Sequence, residues 1–151
     1  MKALLFTLLT PVLVLWTSIE NLDQKNGFGI YIFGSSPNTY KDLYLEIQEG
    51  NTTLYSSDED YIKVDGVKFD YVRVTFIKNK LAAIAMGTKD KSGFKMYQYL
   101  IDNFGKPLQL KKSAEWNGSK VQLSFEKTAD SNDAVITLYS KEIYGDQKPG
   151  K

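Results

Sequence analysis

The sequence predicts an α+β domain: one antiparallel sheet with two helices on one face, arranged as two helix-plus-strands repeats. Three observations lead there. Residues 70–87 read as two long strands joined by a polar turn at Lys78 and Asn79, and in the first of them Val72, Val74 and Phe76 alternate with Tyr71, Arg73 and Thr75. Gly34-Ser35-Ser36-Pro37 announces a first helix, and Phe94, Tyr97, Leu100 or Ile101, and Phe104, spaced by three and four, announce a second. The 151 residues, 42% hydrophobic and 25% charged, suffice for one domain that buries its own core and are not the composition of a disordered chain.

Met1 and Lys2 form a short positive end, and residues 3–16 are apolar apart from Thr, with one Pro, before the chain turns polar. This is the layout of a secretory signal, too short for a comfortable membrane span, so residues 1–18 are expected to direct export. Trp16 fits poorly two positions before Ser18, which leaves an uncleaved anchor as the alternative and the only route to a membrane. A buried N-terminal helix is disfavoured by Pro11 and by the lack of a polar stripe. With no Cys in the chain there is neither a lipid-bearing cysteine nor a disulfide framework, so the exported domain must hold by packing. A bacterial periplasm or cell surface suits such a chain. Two sequon matches, at Asn51 and Asn117, are as many as chance provides in a chain rich in Asn.

Residues 19–27 read as a flexible leader and residues 28–144 as the single domain, followed by a disordered tail over 145–151. Phe28, Ile30 and Ile32 suit a short first strand. Ser36 is placed to cap a helix over Pro37–Leu43, with Pro37 at its first position and Tyr40 and Leu43 turned inward. Leu45 and Ile47 then alternate with Glu46 and Gln48 ahead of Gly50-Asn51, a hairpin pattern. Asp65-Gly66 is a tight primed turn after a brief strand over residues 61–64. In the second long strand Ala82, Ile84 and Met86 take one side and Leu81, Ala83 and Ala85 the other, so this strand belongs inside a sheet. The second helix ends at Gly105 with Pro107 behind it. Asn117-Gly118 is the strongest hairpin turn in the chain, leading into Val121, Leu123 and Phe125, and the strand over residues 134–139 closes the domain.

This layout resembles the small exported bacterial domains built as helix-then-sheet repeats, such as the β-lactamase inhibitor protein and outer-membrane assembly lipoproteins. More closely, Gly29-Ile30, Phe33-Gly34-Ser35-Ser36, the stretch 71–85 and the run Tyr99-Leu100-Ile101-Asp102-Asn103-Phe104-Gly105-Lys106-Pro107 resemble a class of uncharacterised small exported bacterial proteins, over most of residues 28–140. The resemblance implies the repeat architecture and brings no functional residues with it.

The absence of His and Cys removes the commonest general base, thiol nucleophiles and most zinc sites. Carboxylates, Tyr, and Ser with Lys remain. Asp58-Glu59-Asp60 is the densest acidic cluster and the only seat for a carboxylate hydrolase, but neighbouring side chains point apart, as in a solvated turn. Asp130, Asn132 and Asp133 offer oxygen to a hard cation but lack the glycine and the distant Glu of a calcium loop. Gly27-Phe28-Gly29 is no phosphate loop, and Lys111-Lys112 is a pair and not a patch. A net charge of +1 recruits neither nucleic acid nor an anionic surface. No cofactor, metal site or catalytic residue is expected.

Binding is the function the residues favour. The chain has ten Tyr, and Tyr couples contact area with a hydrogen-bonding group. With helices on one face of the sheet, Tyr71, Arg73, Thr75, Gln122, Thr137 and Tyr139 fall on the other; Arg73 is the chain's only arginine. The expected function is therefore an exported, non-enzymatic binding or inhibitory module that meets a protein or a cell-envelope component through this face. The same residues also suit ordinary cross-strand pairs on a wet surface. The first alternative is a carrier of a small apolar ligand held between the sheet and the second helix, where Phe94, Tyr97 and Phe104 face a strand apolar on both sides. The second is the acidic hydrolase.

Overall fold

The computed structural model describes residues 17–57, 62–88, 93–127 and 133–145. In chain order its elements are α1 (Thr17–Gln24), β1 (Gly27–Phe28), β2 (Tyr31–Ile32), a 3-10 turn (Pro37–Thr39), β3 (Leu43–Glu49), β4 (Thr52–Ser57), β5 (Ile62–Val64), β6 (Val67–Phe69), β7 (Tyr71–Ile77), β8 (Lys80–Thr88), α2 (Gly93–Phe104), β9 (Leu108–Gln109), β10 (Ser113–Asn117), β11 (Val121–Lys127), β12 (Ala134–Ser140) and α3 (Lys141–Tyr144). Eight strands form one sheet in the order β3-β4-β7-β8-β12-β11-β10-β9, with every neighbouring pair antiparallel. The pairs β1-β2 and β5-β6 stand apart as two small hairpins.

The expectation of an α+β domain with two helices on the sheet is therefore corrected: the fold is β-rich, with three short helices among the described residues. The predicted helix over Pro37–Leu43 shrinks to a single 3-10 turn with no buried residue, and Ser36 makes no side-chain capping bond. One turn without an apolar stripe has too few hydrogen bonds to sustain a helix. The turn instead swings Tyr40 inward, where its ring lies 5.1 Å from Tyr31 and 6.4 Å from Phe76 and its hydroxyl accepts from the Ile32 amide at 2.9 Å. Leu43 then opens β3, so the two-repeat arrangement is absent.

The second helix forms where expected and stops at Gly105, whose φ of 75° and amide bond to the Ile101 carbonyl, 2.8 Å, make a left-handed cap. Its buried stripe is rotated from the predicted one. Met96, Leu100 and Phe104, each four residues apart, are buried, while Phe94 is 75% exposed. Residues 19–27, expected as a flexible leader, carry most of α1, and Leu22 is fully buried where α1 meets α2, β10 and β11. Residues 1–16 and 146–151 lie outside the described residues.

Lys78 and Asn79 hold φ of 50° and 60°, and Asp65 and Gly66 hold 50° and 83°. These are the paired positive φ values that match the turn of a two-residue hairpin to strand twist, so the primed turn expected at Asp65-Gly66 forms and the polar turn expected at Lys78 and Asn79 is of the same kind. In β8 an irregularity changes the faces. Phe76 pairs with Leu81 but Thr75 with Ala83, which leaves Ala82 as an extra residue and moves Leu81 to the side of Ile84 and Met86. That side, with Val72, Val74, Phe76, Leu123, Ile136 and Leu138, is the core face. The two small hairpins join the core through Phe28, Tyr31, Val64, Val67 and Phe69, with the Phe28 and Phe69 rings edge to face at 5.8 Å.

The hairpin expected at Asn117-Gly118 forms between β10 and β11, but not through a two-residue turn. The loop runs to Val121, closed by the Gly118 amide on the Val121 carbonyl at 3.0 Å, and Gly118 is not left-handed. Space explains the glycine: a Cβ there would sit 2.2 Å from an Asp23 carboxylate oxygen. From α1, Asp23 accepts from the Ser119 amide (2.8 Å) and hydroxyl (2.7 Å), the Lys120 amide (2.8 Å) and the Val121 amide (3.2 Å). Partial burial works against the charged carboxylate, but the bonds from Lys120, Ser119 and Val121 outweigh it and hold Asp23 at about 2, below its ordinary 3.8.

Two outcomes follow from this latch. Asp23→Ala and Gly118→Ala should each lower the thermal midpoint, at a cost of about 1.5–3 kcal/mol for hydrogen bonds to a charged group. Because the folded carboxylate binds protons more weakly than the unfolded one, its contribution is complete above pH 3.8 and fades as pH falls toward about 2. Urea unfolding across that range should therefore show a steeper acid loss for the parent than for Asp23→Ala; equal slopes would exclude the latch as a source of stability.

Candidate functional site

Strand register decides which side chains share the face opposite the core. Arg73 pairs with Ala85 and Ser56, Tyr71 with Gly87, and Thr75 with Ala83 and Leu54. Across the sheet Ala85 pairs with Thr137 and Ala83 with Tyr139, which in turn meets Gln122. All six residues singled out from the sequence, Tyr71, Arg73, Thr75, Gln122, Thr137 and Tyr139, thus lie on this one face. They do not make one surface, because the small residues of β8 divide them and α3 folds over part of one half.

On the covered half, the Tyr139 hydroxyl donates to the Gln122 side-chain oxygen, and the Gln122 amide donates to Glu115 at 3.3 Å. Tyr139 also lies 5.7 Å from the Tyr144 ring of α3. Both Tyr139 and Gln122 are only 7% exposed. Burial, with Glu115 adding to it, raises the Tyr139 hydroxyl above its ordinary range, so it stays a donor. These two side chains are therefore committed to an internal relay across three strands and offer little to a partner. Thr75 and Thr137 are half-buried beside the small residues of β8.

The open half is built by β3, β4 and β7. Between Leu45, paired with Tyr55, and Ile47, paired with Leu54, Glu46 is the extra residue of a bulge. The bulge puts Ile47 on the same face as Tyr44, and Glu46 turns there too: it accepts from Ser56 Oγ at 2.5 Å and meets Arg73 Nε at 3.4 Å. Tyr44, Glu46, Ser56, Tyr71 and Arg73 line a shallow cavity of about 270 Å³. Tyr44 and Ile47 are 50% and 53% exposed, and Leu54 is half-buried beside them. The sequence pattern hid Ile47, whose plain alternation with Glu46 assigns the two to opposite faces; only the bulge brings them together.

Tyr71 is held across the neighbouring strand. A Cβ on Gly87 would lie 2.0 Å from its Cζ and 2.1 Å from its hydroxyl oxygen, so the ring rests on the bare glycine backbone. Burial raises its hydroxyl above the ordinary value, with Arg73 pulling it down and Asp133 pushing it up. At neutral pH it is a protonated donor next to a guanidinium.

The ligand seat expected between the second helix and an apolar strand is placed differently. Phe104 is core and Phe94 points outward. Tyr97 leans on Phe125 of β11 at 5.0 Å and Trp116 of β10 at 6.3 Å, and it lines an open cavity of about 790 Å³ at the end of those strands. Asp58, Glu59, Asp60, Asp130 and Asn132 lie outside the described residues. Among the described residues no group of three or more acidic side chains is placed to share a metal ion.

Gly87→Ala should displace the Tyr71 ring while sparing the core face. The expected result is a changed Tyr71 side-chain NMR signal with the Val72 and Val74 methyl signals retained; an unmoved Tyr71 signal would contradict the stacking. Compared with protein-family models, curated proteins and solved structures, the chain has no match, so the reading of this face rests on its own chemistry.

Proposed function

We propose that the chain is an exported, non-enzymatic recognition module that binds a protein of the cell envelope through the β3-β4-β7 half of its open sheet face. One observation carries the reading: Tyr44, Ile47 and Leu54 adjoin Tyr71 and the only arginine of the chain on one uncovered surface. Tyr and Arg are among the residues that dominate binding energy at protein interfaces, and the aliphatic side chains beside them add apolar contact area. Glu46, itself held by Ser56, pairs with the guanidinium, which reduces the side-chain freedom to be lost on binding. The charged groups here are already paired with one another, an arrangement that favours recognition over proton transfer. Export is supported by the positive, then apolar, opening of the sequence over residues 1–18.

A photo-crosslinking amino acid at position 44 or 47 of the exported protein tests the site. Both positions should label the same envelope protein, and the Tyr71→Ala/Arg73→Ala double variant should weaken that partner's affinity at least tenfold, about 1.4 kcal/mol, while circular dichroism shows the sheet retained. The same adduct from a crosslinker at position 94, or undiminished labelling in the double variant, would place the contact elsewhere.

A further inference from the structure

The cavity beside Tyr97 has a second chemistry that the sheet face does not share. β9 and β10 are joined by a tight turn in which the Leu110 amide donates to the Ser113 carbonyl at 2.8 Å, so Lys111 and Lys112 occupy its exposed tip. Ser113 pairs with Glu126 at the end of β10, and Lys127 stands one residue further along β11. Tyr97 closes the opposite side, fixed by its contacts with Phe125 and Trp116 and by a 2.5 Å hydrogen bond from the Gln109 amide.

Between them lies a cavity of about 790 Å³, within the range of small-molecule sites. Tyr97, Phe125, Ala114, Leu110 and Val135 supply apolar walls, and Lys111, Lys112 and Lys127 surround them with three ammonium groups against the single carboxylate of Glu126. The whole chain carries a net charge of only +1, so this is a local concentration of positive charge and not part of a general basic surface. A ligand that satisfies both parts has an apolar body for the walls and one anionic group for the lysines. Mobile ammonium groups on long stems suit a point-like anion and impose no planar, bidentate geometry. One face of Tyr97 already rests against Phe125, which disfavours a flat aromatic ligand seated by stacking.

We infer that this cavity binds a single-chain amphiphile with a carboxylate head, a fatty acid in chemical class. Its alkyl chain lies along Tyr97, Phe125 and Leu110, and its head meets the lysines at the β9-β10 turn and Lys127. The site shares no residue with the Tyr71 and Arg73 surface, so either stands if the other fails.

Calorimetric titration of the exported protein with laurate, kept below its micelle concentration, tests this directly. The expected result is one laurate per chain, with acetate and dodecyltrimethylammonium bound at least tenfold more weakly. Lys111→Glu/Lys112→Glu should lower laurate affinity tenfold or more. Leu110→Asp, at another exposed position, should do the same through the apolar wall, with the thermal midpoint unchanged in both variants. Absence of laurate binding, equal binding of the cationic amphiphile, several laurates per chain, or indifference to both variants would each overturn the assignment. So would co-sedimentation with phosphatidylglycerol vesicles that laurate does not compete away, because the lysines would then be reading a membrane surface.

Discussion

The insertion of β12 between β8 and β11 is the constraint on which the rest of the molecule depends. On one side of it the hairpins β3-β4 and β7-β8 pair through β4 and β7, with the β5-β6 hairpin between them in sequence; on the other, β9, β10 and β11 form a meander, and in the sheet the two blocks are hydrogen-bonded only through β12. Each block alone would expose an unpaired edge beside its most apolar strand, the kind of surface that sticks to other chains. The last strand closes both edges at once and places Ile136 and Leu138 between Met86 and Ile84 on one side and Phe125 and Leu123 on the other. Core, open face and cavity all presuppose that closure. It joins residues far apart in sequence, so much of the ordering entropy is lost before the stabilising contacts are complete.

Local signals were legible in the sequence to the degree that local physics decides them. Asn79, Asp65 and Gly66 tolerate positive φ and favour turns at 78–79 and 65–66, and the helix stop at Gly105 follows for the same reason, whereas Lys78 takes its φ of 50° without such a preference. The helix expected at Pro37 failed because a good start signal cannot supply an apolar stripe, and Tyr40 found its partners in Tyr31 and Phe76 without one. Asn117-Gly118 misled in a different way. The dipeptide suits a two-residue turn, but here its glycine makes room for a carboxylate nearly a hundred positions earlier, a requirement that no short window contains.

The shared face of Tyr71, Arg73, Thr75, Gln122, Thr137 and Tyr139 was legible because alternation has a fixed period and register carries it across strands. Exposure was not. Gln122 and Tyr139 satisfy each other and lie beneath a helix that the sequence pattern did not announce. Tyr44 and Ile47 join the open half through a bulge at Glu46, and single-residue insertions of this kind leave no mark on composition or periodicity. The cavity at Tyr97 was hidden for a further reason: its lysines come from the β9-β10 turn and from β11, brought side by side by the pairing of Ser113 with Glu126, while Tyr97 reaches it from α2.

The loop over residues 117–121 is gripped from both directions along the chain. Asp23 of α1 binds its amides, and Lys141 of α3 donates from Nζ to the Asn117 side chain and the Gly118 carbonyl, each at 2.5 Å. The first and last described helices therefore meet at one hairpin, although more than a hundred residues separate them. One hairpin thus fastens both helices, so a change that distorts residues 117–121 releases α1 and α3 together.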